Sequence, residues 1–168
     1  TAAEAFAIEV SSRTARAMQI LARKAGIYGM IGGQVVDVES EGQPLSREKL
    51  NFIYRLKTSA LIEASMMIGA VLAGASDEEL AAVERVAGDV GLAFQIQDDI
   101  LDVTSTLEVL GKPIHSDDKN NKTTYVTLEG LDKARADVEA VSERALETLR
   151  SLNYRNEFLE ELIRMLIT

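Results

Sequence analysis

At residues 94–102 the chain reads Phe94-Gln95-Ile96-Gln97-Asp98-Asp99-Ile100-Leu101-Asp102. Three carboxylates stand close together here, with large apolar side chains on both sides of them. In an α-helix, residues four apart lie on one face, whereas direct neighbours diverge by about 100°. We therefore expect Asp98 and Asp102 to point together and Asp99 to point elsewhere.

The face that carries these two carboxylates also includes Gln95. Like charges one turn apart destabilise an isolated helix by roughly a few tenths of a kcal/mol, and a divalent cation removes that repulsion. Mg²⁺ takes carboxylate oxygens, keeps several waters and is often completed by substrate phosphate oxygens. A solvated acidic patch is the commoner fate of a bare acidic run. The apolar flanks Ile96 and Ile100 indicate a helix anchored in a core, so we predict a magnesium site with Asp98 as its direct ligand.

The rest of the chain also favours helices. Its 168 residues are 46% hydrophobic, include only two prolines, and repeat their apolar side chains at helical spacing, which predicts an all-α bundle. Ser46 and Ser76 are predicted N-caps, and Gly26 and Gly74 are predicted stop signals. The predicted helices cover about 2–25, 29–41, 46–74, 76–103, a short piece from 124, 132–152 and 156–167, and a polar loop covers 104–121.

Gln95, Asp98 and Asp102 form a polar strip on the predicted helix, and two further groups of polar residues accompany it. Lys57 lies among apolar residues, where its ammonium group can neutralise a diphosphate, although a lysine that extends to solvent is the commoner explanation. The loop offers Lys112 and Lys122 as cations for phosphates and Asp117 as a ligand for metal or water. A generic polar loop explains these three residues equally well.

Composition excludes several classes of protein. The chain has no cysteine and one histidine, His115, so disulfides, zinc-thiolate sites and a serine or cysteine triad have no basis. A net charge of −9 argues against nonspecific nucleic-acid binding. No uninterrupted apolar run has the length of a membrane span, so we predict no transmembrane segment and expect a cytoplasmic protein.

Taken together, four stretches resemble the polyprenyl synthetase family, and bacterial farnesyl diphosphate synthases (geranyltranstransferases) most of all. They are residues 29–37, 57–58, 91–102 and 111–112. The resemblance implies an isoprenoid-synthase helical bundle around a central cavity, with residues 1–168 as the carboxyl-terminal part of one such domain. It also implies a prenyltransferase in which Mg²⁺ assists ionisation of an allylic diphosphate. Isopentenyl diphosphate then attacks the cation to give geranyl and farnesyl diphosphate.

The metal ligands implied by the resemblance are four aspartates. Asp98 would bind Mg²⁺ directly, and Asp99 and Asp102 would act mainly through its waters. Asp117 matches a position near the same metal waters.

The resemblance also implies which residues contact substrate. Lys57 and Lys122 would hold the allylic diphosphate, and Lys112 would lie near it. Gln95, which also contacts substrate, and Thr58 would border the reacting centre, so Lys57, Thr58 and Gln95 are the predicted catalytic residues.

One departure from the family is large, because its first aspartate-rich motif does not occur in these residues. We therefore expect the 168-residue chain to be inactive alone, to expose an apolar cavity wall, and to need the amino-terminal half of the same protein. The resemblance further implies a homodimer. Two alternatives are a noncatalytic or regulatory subunit of a heteromeric prenyl diphosphate synthase and a class I terpene cyclase. The intact aspartate motif argues against both.

Overall fold

The structure is a computed structural model that describes residue 4 and residues 7–8, 10–104 and 123–167. Every element of regular structure in those ranges is helical, which confirms the predicted all-α class. The elements are α1 (Ser12–Ala25), α2 (Met30–Glu39), α3 (Arg47–Ile53), a π-helical segment (Tyr54–Ser59), α4 (Ala60–Ala73), α5 (Asp77–Thr104), α6 (Tyr125–Glu129), α7 (Leu131–Arg150) and α8 (Glu157–Ile167).

Local capping interactions set several helix ends where the sequence predicts them. Ser46 Oγ accepts a hydrogen bond from Lys49 N at 3.3 Å, at the start of α3. Ser76 and Glu79 form a reciprocal capping box, with Ser76 N donating to Glu79 Oε2 at 2.8 Å and Glu79 N donating to Ser76 Oγ at 3.2 Å. Gly74 ends α4 with a φ of 87°, a left-handed conformation that glycine adopts without strain.

The first predicted helix is wrong in one respect. The prediction of a single helix over 2–25 does not hold, because Val10 is not helical and α1 starts at Ser12. Ser11 is extended, and its Oγ accepts from Thr14 N at 3.2 Å. A serine that bonds to a nearby backbone N–H favours an N-cap over a helix interior.

The predicted helix over 46–74 is interrupted by the π segment. Ser59 Oγ donates to the carbonyl oxygen of Tyr54 at 3.3 Å within it. The stretch Arg47–Ala73 is long and apolar enough to cross a membrane by length and composition alone. Such a stretch is not expected from the sequence, which has no uninterrupted apolar run of that length. A single helix of this kind is weak support for a span, and here the stretch packs against α1, α2 and α5.

The long helix α5 forms the centre of the bundle and contacts the π segment, α4, α6, α7 and α8. Buried apolar clusters line it along its length. Near its end, Ile96 and Ile100 pack with Ile53 and Tyr54. Farther from the aspartates, Val86 and other buried residues pack against α7 and α8. Burial of apolar area before and between the aspartates therefore anchors this helix in the core.

A partly buried ionic cluster joins α1 to α4 and α5. Lys24 Nζ donates to Glu63, which is 5% exposed, and to Glu84 Oε1 at 2.7 Å. Burial lowers the pKa of Lys24, but the hydrogen bonds with Glu63 and Glu84 outweigh this effect, so the pKa is raised overall. The lysine stays charged, which suits a salt bridge largely removed from solvent.

Helix α2 carries an exposed apolar stripe. Ile31, Val35 and Val38 are 46%, 48% and 57% exposed, and they recur at helical spacing. Large apolar side chains aligned on one face in this way are typical of a surface that another part of a protein covers.

Candidate active site

Two glycines hold the π segment between α2 and α5. A Cβ atom on Gly33 would lie 2.5 Å from Lys57 N, and a Cβ atom on Gly91 would lie 2.6 Å from Ser59 Cα. Only glycine allows backbones to approach this closely. The two contacts therefore set where Lys57 and its neighbour Thr58 lie relative to α5.

Lys57 forms an ion pair with Asp37 of α2. Its Nζ atom lies 2.5 Å from Asp37 Oδ2, and the two side chains are 36% and 12% exposed. The sequence analysis assigned no role to Asp37, although it lies in one of the stretches that carry the resemblance. No sequence pattern around Asp37, which lies three residues after Gln34, identifies it as a partner of Lys57. The two residues meet only because α2 crosses the π segment.

Thr58 and Gln95 lie together, as the resemblance implies for residues that border one reacting centre. Thr58 Oγ1 donates to Gln95 Oε1 at 2.9 Å. Gln95 belongs to the same face of α5 as Asp98, three residues farther on. The π segment with its lysine is thus joined directly to the strip of polar side chains on α5.

Asp98 and Asp102 lie one turn apart on the last turns of α5, which is helical through Thr104. Asp98 is partly exposed, and Asp102 is 3% exposed. Within the described ranges, no three acidic, histidine or cysteine side chains form a group that could hold a metal. The strip suits Mg²⁺ nevertheless, because that ion commonly takes one or two protein carboxylates and completes its shell with water and phosphate.

Asp99 points away from this strip into the core. Its Oδ2 atom accepts a hydrogen bond from the Tyr54 hydroxyl and another from Tyr125 N at 2.8 Å. The divergence of Asp99 from its neighbours agrees with the expected helical geometry. Its implied role at the metal stays a prediction, although two donors already occupy one of its oxygens.

Three of the predicted site residues, Lys112, Asp117 and Lys122, lie outside the described residues, as does His115. Their assignments to diphosphate and metal stay predictions.

Comparison with known proteins confirms the family resemblance. The polyprenyl synthetase family model matches residues 1–163. The chain is 40% identical to the farnesyl diphosphate synthase of Geobacillus stearothermophilus over 81% of its own length and 46% of the relative's length. It is 42% identical to the heterodimeric geranylgeranyl pyrophosphate synthase large subunit 1 of Arabidopsis thaliana, over 82% of this chain and 38% of that protein.

A solved structure shares the fold. The geranyltransferase from Helicobacter pylori, crystallised with magnesium and isoprenyl diphosphate, superimposes with a TM-score of 0.78 at 35% identity. The match covers 95% of this chain and 52% of that one. The chain thus spans about half the length of the relatives it matches. Since the family model matches nearly the whole chain, and the helical bundle superimposes on a solved member, this chain belongs to the polyprenyl synthetase family.

Proposed function

We propose that the complete protein is a prenyl diphosphate synthase that joins an allylic diphosphate to isopentenyl diphosphate. The observation that carries the proposal is the hydrogen bond between Thr58 and Gln95, because it places the lysine-bearing π segment beside the carboxylates of α5. A leaving diphosphate develops negative charge, which a lysine on one element and Mg²⁺ bound to carboxylates on the facing element can neutralise.

The reaction needs charge neutralised at the leaving group and water excluded from the carbocation. Asp98 would hold Mg²⁺ directly and Asp102 would hold it through its waters, and the ion would supply a Lewis acid for the diphosphate oxygens. Lys57 would exchange its bond with Asp37 for a charge-assisted bond to the diphosphate. Gln95 and Thr58 would orient the reacting end beside it. Apolar side chains such as Phe94, exposed on α5 next to Gln95, would form a wall that keeps water away.

We further propose that geranyl and farnesyl diphosphate are the products. The names of two relatives support this choice, since one is a farnesyl diphosphate synthase and another is a geranyltransferase. The large-subunit relative is named for geranylgeranyl diphosphate instead, so product analysis must distinguish the chain lengths.

The amino-terminal half of the same protein is the proposed cover for the apolar stripe of α2. The chain matches only 46% of the farnesyl diphosphate synthase relative and 52% of the solved geranyltransferase, so these relatives have about as much chain again outside the match. Exposed Ile31, Val35 and Val38 would be buried by that half.

Incubation with Mg²⁺, labelled isopentenyl diphosphate and dimethylallyl or geranyl diphosphate tests the function, with products separated by chain length. We expect the complete polypeptide to form geranyl and farnesyl diphosphate and chelation of Mg²⁺ to stop the reaction. The 168-residue chain alone should form neither product. A complete polypeptide that is inactive by itself but raises the turnover of a second synthase would instead favour the regulatory-subunit alternative.

Replacing Lys57 with glutamine in the complete protein is expected to lower kcat/KM for the allylic diphosphate by about 10-fold to 100-fold. The change removes one charge-assisted hydrogen bond of about 1.5–3 kcal/mol and leaves an uncharged, slightly shorter polar side chain. Lys49→Gln is the matched control, since Lys49 is exposed on the preceding helix. Steady-state kinetics measure the difference. Equal kcat/KM values for the two variants would show that Lys57 does not bind the allylic diphosphate.

A further inference from the structure

Asp99 forms a buried hydrogen-bond junction beside the proposed magnesium ligand. Its side chain is 3% exposed, and its Oδ2 atom accepts from both Tyr54 Oη and Tyr125 N. Burial of a carboxylate is unfavourable unless donors satisfy it, and hydrogen bonds to a charged acceptor are roughly twice as strong as neutral ones. The junction is therefore a firm local constraint.

Three elements of the bundle meet at this junction. Tyr54 begins the π segment, which carries the lysine proposed to bind diphosphate. Tyr125 begins α6 and follows closely after the polar stretch 105–122, which lies outside the described residues. Asp99 itself adjoins Asp98 on α5. One carboxylate thus links the π segment, α5 and the start of α6.

Tyr125 is held at its other end as well. Its hydroxyl donates to Asp137 Oδ2 of α7 at 2.8 Å. Burial, together with the hydrogen bond to Asp137, raises the pKa of Tyr125, so the phenol keeps the proton that it donates. The start of α6 is therefore fixed between α5 through the backbone and α7 through the side chain.

We propose that Asp99 is a positioning residue. Through Tyr54 and Tyr125 it holds the π segment and the start of α6 in register with Asp98, and it does not bind magnesium. The inference rests on the proposed function, and it replaces the metal role that the resemblance implies for Asp99. The observed contacts support it, because Asp99 is rotated by about 100° around the helix from Asp98 and its Oδ2 atom accepts from Tyr54 Oη and Tyr125 N.

Kinetics of the complete protein distinguish the two roles of Asp99. The variants are Asp99→Ala, Asp99→Asn, Tyr54→Phe and, as the metal-ligand reference, Asp98→Asn. If Asp99 positions the site, Tyr54→Phe, which loses one hydrogen bond, raises KM for the allylic diphosphate by about tenfold. Asp99→Ala, which loses two, raises it by at least as much. Both leave the Mg²⁺ concentration for half-maximal rate unchanged. Asp98→Asn raises that concentration by at least about tenfold.

Asp99→Asn keeps an oxygen that accepts from both donors, so its KM should stay close to that of the unmodified protein. It also decides the question if the alanine variant fails to fold. Tyr154→Phe is the matched control for Tyr54→Phe, because Tyr154 is 81% exposed, and it should change nothing. The proposal is overturned if Asp99→Asn raises the Mg²⁺ requirement as Asp98→Asn does while Tyr54→Phe is silent.

Hydrogen exchange without substrate tests the junction independently of activity. The amide of Tyr125 donates to Asp99 and should exchange slowly in the unmodified complete protein and at least about tenfold faster in Asp99→Ala. Asp99→Asn should retain most of the protection. Equal exchange in the alanine variant and the parent would overturn the proposal. An inactive protein with a protected Tyr125 amide would instead contradict the proposed function alone.

Discussion

Replacing Asp98 with alanine in the complete protein is expected to lower kcat by about a thousandfold. Asp98 is the partly exposed carboxylate of the α5 strip, one turn before Asp102 and on the face of Gln95. A metal ion that stabilises charge on a departing group contributes several kcal/mol, and about 4 kcal/mol corresponds to three orders of magnitude in rate. Loss of the direct ligand should remove most of that contribution.

Two comparisons make the Asp98 result specific. Asp132→Ala removes an exposed carboxylate from the first turn of α7 and should leave kcat unchanged. Asp99→Ala should cost much less turnover than Asp98→Ala, because the Asp99 side chain faces the core. Single-turnover rates at saturating Mg²⁺ measure the chemical step, and equal losses for the two adjacent aspartates would contradict the helical-face argument.

Gly91→Ala should have the largest effect on stability and also impair catalysis. The new methyl group would lie 2.3 Å from Ser59 Oγ and 2.6 Å from Ser59 Cα, so α5 and the π segment must move apart. Overpacking of this kind costs about 1–3 kcal/mol. A shift of about 1 Å in a positioning element can lower a rate by about a hundredfold, and here it would move Thr58 away from Gln95.

Gly69→Ala is the matched control for this substitution. Gly69 is also inside a helix, but a Cβ atom there meets nothing within 4 Å. Alanine exceeds glycine in helix propensity by about 1 kcal/mol, so Gly69→Ala should raise the free energy of unfolding. Denaturant unfolding of the complete protein measures both variants. If Gly91→Ala is as stable as Gly69→Ala, the close crossing of α5 and the π segment is wrong.

Much of the fold is predictable from sequence because its determinants are local. Ser46 and Ser76 cap the helices that follow them, and each bonds to a backbone group three residues away. Gly74 ends α4 by its own conformation. The same local view fails at Ser11, where a capping serine interrupts a pattern whose apolar spacing continues through it.

The site is predictable only in part. Helical spacing places Gln95, Asp98 and Asp102 on one face and turns Asp99 by about 100° from Asp98. The resemblance paired Thr58 with Gln95, and the structure brings them together. No pattern in the sequence predicts that Asp37 binds Lys57.

By itself, then, the sequence determined most of the helices, the caps at Ser46 and Ser76, the polar strip on α5 and the family. These depend on neighbours within one or two turns or on motifs that are contiguous in the chain. Only the tertiary structure decided the partners of Lys57 and Asp99 and the π segment that carries Lys57. The partner of Lys57 is 20 residues away, and those of Asp99 are 45 and 26 residues away. Such contacts depend on how closely helices cross, which Gly33 and Gly91 set through backbone contacts with the π segment.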